Sequence, residues 1–268
     1  MCARRVGRGH FPFHTRLCLD ERVNARSRNA FLIALAVIAI LGIAAIALLM
    51  RPKAGAVAPA ALGAPHSVTF TSGGKSQTVQ GFEVTGNPVT GARFQVGQAG
   101  APVKVVEYAN YQCYYCAQFE EKTQPAFLTR FVRSGLVQFY YRDYVIAEYP
   151  DAFKRAAAGA SCASDQNKYW EFHDALYRVQ TTWGPLTNDA LDRQLEDYAS
   201  QLGLDTPAFT KCLQSGQNAP DVLADNTAGL GFGVKATPSF IINGVLFEGA
   251  QPIEFFDAAV KGAQAGWK

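Results

Sequence analysis

The stretch that most constrains this chain runs from Val105 to Cys116. An apolar strand pattern, Val105-Val106-Glu107-Tyr108-Ala109, gives way within three residues to Cys113-Tyr114-Tyr115-Cys116 and then to a helical pattern. A strand that turns so directly into a helix sets Cys113 at the helix N-terminus, where unpaired backbone N–H groups and the helix dipole favour a thiolate. Cys113 is the candidate nucleophile. Cys116, three residues on and turned inward with Phe119, is the candidate resolving cysteine. Half of a zinc site has the same Cys-x-x-Cys spacing but requires a second ligand pair. The other cysteines are isolated and His173 is the only histidine after position 66, so the pair reads as a redox site with no metal.

Charge distribution narrows the partners. The formal net charge is +3, yet residues 1–53 carry nine Arg or Lys against Asp20 and Glu21, leaving residues 54–268 at −4. A nucleic-acid surface wants a basic face, and the folded part lacks one. Ala30 to Met50 is an uncharged apolar run of the length that crosses a bilayer as a helix. Seven arginines precede it and only Arg51 and Lys53 follow, so the positive-inside rule keeps residues 1–29 cytoplasmic and the remainder outside. The run is longer than a usual signal h-region, which favours a retained anchor, although Ala54-Gly55-Ala56 offers a cleavage site. Cys2 and Cys18 then face a reducing cytosol as unpaired thiols. The first 22 residues read neither as a domain nor as a tidy signal; one explanation is a start later than Met1, for instance at Val23 if an alternative start codon encodes it.

Residues 51–66 are rich in Ala, Pro and Gly and read as a spacer. Residues 67–102 alternate apolar and polar residues in short pieces, predicting one or two small strands or an ordered arm. From 103 onward the pattern is denser: a buried strand at Val103–Tyr108, a helix from Cys116 that Pro125 kinks or divides, and a strand at Val137–Tyr141. Glu107 interrupts the first strand six residues before Cys113. Beneath the helix start it could exchange a proton with Cys116; at a sheet edge it would be solvated and idle.

Together with Thr237-Pro238-Ser239-Phe240-Ile241-Ile242 far downstream, the strand, acid and Cys-x-x-Cys resemble the thioredoxin superfamily. Tyr169-Trp170-Glu171-Phe172-His173-Asp174-Ala175-Leu176, Gly233-Val234-Lys235-Ala236-Thr237-Pro238 and Asn243-Gly244-Val245 bring the resemblance closer to the DsbA-like (BdbD-type) thiol oxidoreductases of bacterial envelopes. The resemblance runs from about Val103 to Phe256. It implies an α/β thioredoxin fold with an inserted α-helical subdomain, here preceded by a single transmembrane helix. It matches Pro238 to the family's cis-proline, Thr237 to the residue whose backbone meets a substrate peptide as an added strand, and Glu107 to the buried acid. Tyr114-Tyr115 departs from the dipeptides of the best-known oxidases and of thioredoxin; lying between the cysteines, it helps set redox poise and contributes with Thr237 to substrate binding.

The insertion, about residues 150–216, reads as helices at Ala152–Cys162, Lys168–Val179 and Asn188–Leu202, and a short one opening at Asp205-Thr206-Pro207. It holds Cys162 and Cys212, which on the exported side favour a structural disulfide over two buried thiols. His173 reads as a packing or capping histidine, and Tyr169, Trp170, Phe172 and Leu176 as core. Ala219–Gly231 predicts a returning helix, Phe240–Ile242 and Val245–Glu248 a hairpin across Asn243-Gly244, and Ile253–Gly262 a terminal helix. The function expected is a membrane-tethered, extracytoplasmic disulfide oxidase without a cofactor. It acts on thiols of unfolded exported proteins and is recharged by a DsbB- or VKOR-like membrane protein. A reductase or isomerase is the alternative within the enzyme class, since Thr237 and Tyr115 resemble isomerase residues. A non-catalytic docking or chaperone module is the alternative outside it.

Overall fold

The computed structural model describes residues 62–145 and 151–267. The basic tail, the apolar run Ala30–Met50, most of the spacer, Cys2, Cys18 and Pro150 lie outside these residues. Among the described residues no helix is long and apolar enough to cross a membrane.

The core of the molecule is a seven-stranded sheet in the order β1-β2-β7-β6-β4-β5-β3. Strand β4 (Val103–Ala109) is central because it is apolar on both faces; it pairs in parallel with β5 (Val137–Asp143) and antiparallel with β6 (Ser239–Ile242). Strands β6 and β7 (Val245–Glu248) form the hairpin, whose Asn243 and Gly244 take positive φ of 43° and 86°, the backbone such a two-residue turn requires. The short pieces ahead of the domain are more than an arm. Strands β1 (Pro65–Ser72) and β2 (Lys75–Glu83) form a hairpin whose second strand joins the sheet through Phe82 and Glu83 against β7, and β3 (Phe94–Val96) pairs antiparallel with β5. Pro65 and His66, placed in the spacer by composition, pair with Phe82 and Gly81. Cross-strand pairing overrides local composition there.

Helix α1 (Tyr114–Lys122) ends at Thr123, and α2 (Gln124–Phe127) begins with Pro125 in its first turn, so proline divides the helix; one π turn, Leu128–Val132, completes it. Phe119, Phe127, Phe240 and Phe256 interlock at centroid separations of 4.7–6.4 Å beneath the sheet. The insertion contains α3 (Asp151–Ser164), α4 (Tyr169–Arg178), α5 (Gln180–Trp183), α6 (Asn188–Gln201) and α7 (Thr206–Ser215). Asp205 caps α7 by accepting from the Ala208 N–H at 3.0 Å. The sequence pattern runs α4 on to Val179 and does not signal α5. Helix α8 (Ala219–Gly231) returns to the sheet, where Gly229 lets it approach closely: a Cβ there would stand 2.6 Å from the Tyr144 ring. Helix α9 (Ile253–Gln264) covers the opposite side with Phe255 and Phe256.

Cys162 on α3 and Cys212 on α7 are joined by a disulfide, tying two insertion helices across 50 residues of chain.

Candidate active site

The turn from β4 into α1 builds the site. Asn110, fully buried, accepts the Gln112 N–H on its side-chain oxygen at 2.8 Å and the Cys113 N–H on its carbonyl at 2.9 Å. These bonds fold three residues into a tight entry that leaves Cys113, in extended conformation, as the residue capping α1. Gln180 of α5 donates its side-chain amide to the carbonyls of Tyr111 (2.7 Å) and Cys113 (2.9 Å), and Gln112 donates to the Gly184 carbonyl (3.1 Å). The helical insertion thus grips the backbone on which the nucleophile sits.

Both active-site cysteines are free thiols. Cys116 is wholly buried, and Cys113 lies just under the surface beside two exposed rings, Tyr114 and Tyr115, at 64% and 60% exposure. The Cys113 pKa is lowered to about 6, chiefly by a hydrogen bond from Cys116, against the opposing effect of burial and with further help from Thr237 and the N–H groups of Cys116 and Tyr115. Burial first, then the neighbouring Cys113, pushes the Cys116 thiol well above the ordinary range. One sulfur is poised as a thiolate and the other as a thiol.

Thr237 and Pro238 arrive from far along the chain. The Thr237–Pro238 peptide is cis, and the Cys113 thiol donates to the Thr237 carbonyl at 3.3 Å. The Thr237 hydroxyl is buried beside the Cys113 sulfur, whose thiolate it helps to stabilise, and it has no other hydrogen-bond partner.

Glu107 is fully buried in the central strand, so the solvated-edge reading of this acid fails. Neither of its oxygens has a hydrogen-bond partner. Burial, followed by the charge of Cys113, raises its pKa well above the carboxylate range and so favours the protonated form, which can donate and take back a proton. Its electrostatic reach includes Cys116.

The structure therefore brings Cys113, Cys116, Glu107, Thr237 and Pro238 to one place, with Tyr114 and Tyr115 on its rim. Cys162 and Cys212 stand apart within the insertion. Sequence reasoning missed Gln180 and Glu120. Glu120 carried a usable signal, lying four residues after Cys116 and so on the same helix face. Glu120, His173 and Asp174 offer atoms within 4.8 Å of one another, the only such group of metal-binding side chains among the described residues. The His173 ring, however, turns Nε2 toward Glu120 (3.7 Å) and Nδ1 toward Asp174 (3.0 Å). It stands between the two carboxyl groups and does not gather them around one ion.

A family model described as thioredoxin matches residues 90–262. The chain belongs to the thioredoxin family. It is 27% identical to the probable disulfide bond formation protein D of Bacillus anthracis over 153 residues, covering 56% of this chain and 70% of that protein. It is 33% identical over 169 residues to the Na(+)/H(+) antiporter NhaA 3 of Salinispora tropica, which covers 63% of this chain but only 24% of the antiporter. The chain thus spans about a quarter of the antiporter relatives it matches. Among solved structures, oxidised BdbD from Bacillus subtilis superposes with a TM-score of 0.61 at 21% identity, covering 69% of this chain and 99% of that one. Wolbachia pipientis α-DsbA1 superposes at 0.57 and 22% identity, covering 64% and 90%. The resemblance to DsbA-like, BdbD-type proteins is shown, and the thioredoxin fold with its helical insertion is shared with them.

Proposed function

We propose that this chain is a membrane-tethered, extracytoplasmic thiol:disulfide oxidoreductase that introduces disulfides into exported proteins. The observation that carries the reading is the asymmetric pair: Cys113 caps α1 just under the surface against the cis Thr237–Pro238 peptide, where a thiolate is favoured, and Cys116 is wholly buried with Glu107. A stabilised thiolate makes the reduced form comfortable and the disulfide oxidising. In the forward direction a substrate thiolate attacks the Cys113 sulfur, the Cys113–Cys116 bond breaks, and Cys116 leaves and is protonated, with Glu107 the buried acid whose charge it senses. A second substrate thiolate attacks the substrate sulfur of the mixed disulfide and expels Cys113 as a thiolate. The substrate has lost two electrons, and the enzyme has gained them.

The Cys162–Cys212 bond supports an oxidising compartment, and the arginine-rich flank of Ala30–Met50 supports a tether with the catalytic domain outside. A membrane protein of the quinone-linked DsbB or VKOR type is the proposed reoxidant. Exposed Tyr114 and Tyr115, with the Thr237 backbone, are the proposed docking surface for an unfolded peptide.

The deciding experiment is equilibration of the Cys113–Cys116 pair against glutathione buffers. An oxidising potential, well above the roughly −270 mV of thioredoxin, is expected. A potential at or below that value overturns the oxidase direction and points to a reductive task.

A further inference from the structure

The proton that Cys116 gains or loses in each half-reaction starts from a buried position. Cys116 and Glu107 are wholly buried, and in the exchange proposed above a peptide covers the substrate face. One turn along the same face of α1, however, a second carboxyl enters the same interior. Glu120 is 8% exposed, its Oε1 has no hydrogen-bond partner, and its electrostatic reach includes Glu107. Beyond it stands His173, fully buried within a cage formed by Tyr111, Tyr141, Tyr169, Trp170 and Tyr177. Its Nε2, also unpartnered, faces Glu120 at 3.7 Å, and its Nδ1 meets the Asp174 carboxylate at 3.0 Å. The Asp174 side chain is half exposed. It opens, together with Glu120, Tyr177 and Arg178, onto a surface pocket of about 390 Å³ beside the C-terminal half of α1.

An imidazole held between a buried and an exposed carboxyl group is the arrangement that passes a proton. Because the Asp174 carboxylate accepts, Nδ1 carries hydrogen and Nε2 presents its lone pair to Glu120. Burial favours the neutral forms of both Glu120 and His173, so neither is locked as an ion. The 3.7 Å gap must shorten by about 0.8 Å to reach hydrogen-bond length, within the swing of a glutamate side chain.

We infer that Glu120, His173 and Asp174 form a proton relay that connects the buried Glu107 and Cys116 to the pocket beside α1, so that the resolving cysteine exchanges its proton while substrate covers the front. In the reoxidising direction Cys116 gives its proton to Glu107, Glu107 passes one to Glu120, Glu120 to Nε2 of His173, and Nδ1 releases one to Asp174 and solvent. The forward direction reverses each transfer. No electrons move through the relay. The other ionisable groups facing it are Tyr111, Tyr141, Tyr169 and Tyr177 from the protein side and Glu121 and Arg178 at the pocket.

The inference rests on the exchange chemistry proposed above and is tested separately from it. Reduced protein is mixed rapidly with oxidised glutathione, and the rate at which Cys116 resolves the mixed disulfide on Cys113 is followed from pH 5 to 9. Glu120→Gln and Asp174→Asn are each expected to slow resolution about tenfold near neutral pH and to change the pH profile, below the 10²–10⁴ of a direct general acid or base because Glu107 remains. The Cys113 titration, read by thiolate absorbance, should stay in place. Added imidazole should restore the rate in Asp174→Asn, since the pocket is open to solvent. Parallel profiles in parent and both variants overturn the relay; absence of any exchange in the parent overturns the functional reading instead. If Glu120→Gln does not fold, half-exposed Asp174→Asn decides the matter.

Discussion

At the scale of single residues, the chemistry turns on one charge. The Cys113 pKa near 6 is set against an ordinary thiol value near 9. A depressed pKa contributes stability that is fully present above the unfolded value and lost as pH falls through the folded one. The contribution exists only while the thiol is free, since a disulfide does not titrate. Reduced protein should therefore gain on oxidised protein as pH rises from 6 to 9, and the difference between their melting temperatures should widen steadily across that window. Cys116, shifted upward, begins to oppose the trend only above it. Calorimetry of both forms at several pH values checks this, and a constant difference would contradict the stabilised thiolate. Most of this pair was legible: a strand running straight into Cys-x-x-Cys dictates a helix-capping thiol and a buried partner. The neutrality of Glu107 was only half legible, because burial comes from Tyr141 and Phe240 on neighbouring strands, residues 34 and 133 positions away.

At the scale of elements, what could be read was what periodicity and punctuation record. The four long insertion helices, the Asn-Gly hairpin and the break at Pro125 all leave marks within a dozen residues. Helix α5 leaves none, being one turn held in place by Trp183, whose ring N–H donates to the Leu176 carbonyl at 2.7 Å. Its Gln180 reaches the active-site turn across 67 residues of chain, and such contacts have no local signature. The membership of β2 in the main sheet is non-local in the same way. The disulfide belongs at this scale too, because it fastens α3 to α7 and does not touch the active site. Replacing Cys162 and Cys212 together by Ala should lower stability by about 2–5 kcal/mol, as expected for a closed loop of this size. Exchange between Cys113–Cys116 and glutathione should continue at the parental rate below the melting transition. Denaturant titration and rapid-mixing kinetics measure the two effects, and a loss of exchange in the folded variant would mean that the insertion controls the site more tightly than its contacts indicate.

At the scale of the whole molecule, the sheet and the insertion are joined by a buried charge network. Arg93, just ahead of β3, reaches Asp143 at the end of β5 and Asp225 on α8, both at 3.6 Å, and donates to Ser161 of α3 at 3.1 Å. Arg142 meets Asp225 at 3.5 Å. These are ion-pair distances longer than good hydrogen bonds, and several of the polar atoms find no closer partner. Burial, reinforced by Asp225, raises the Asp143 pKa to about 8; burial raises that of Asp225 to about 6 despite both arginines. A carboxyl raised in the folded state costs nothing while it is protonated in both states, and it withdraws stability as pH climbs from its unfolded value toward its folded one. Stability should therefore fall between about pH 4 and 8, with Asp143 contributing to the upper part beside the buried Glu107 and Glu120. Asp143→Asn, isosteric with the neutral acid, should flatten the decline between pH 6 and 8. At the alkaline end it should be more stable than the parent by roughly 1–3 kcal/mol, less than the bare shift implies because buried ions relax and draw in solvent. The comparison belongs to the oxidised protein, in which Cys113 cannot titrate and offset the trend. If urea midpoints of parent and variant run parallel from pH 6 to 8, Asp143 is ionised throughout and the network is held by full ion pairs.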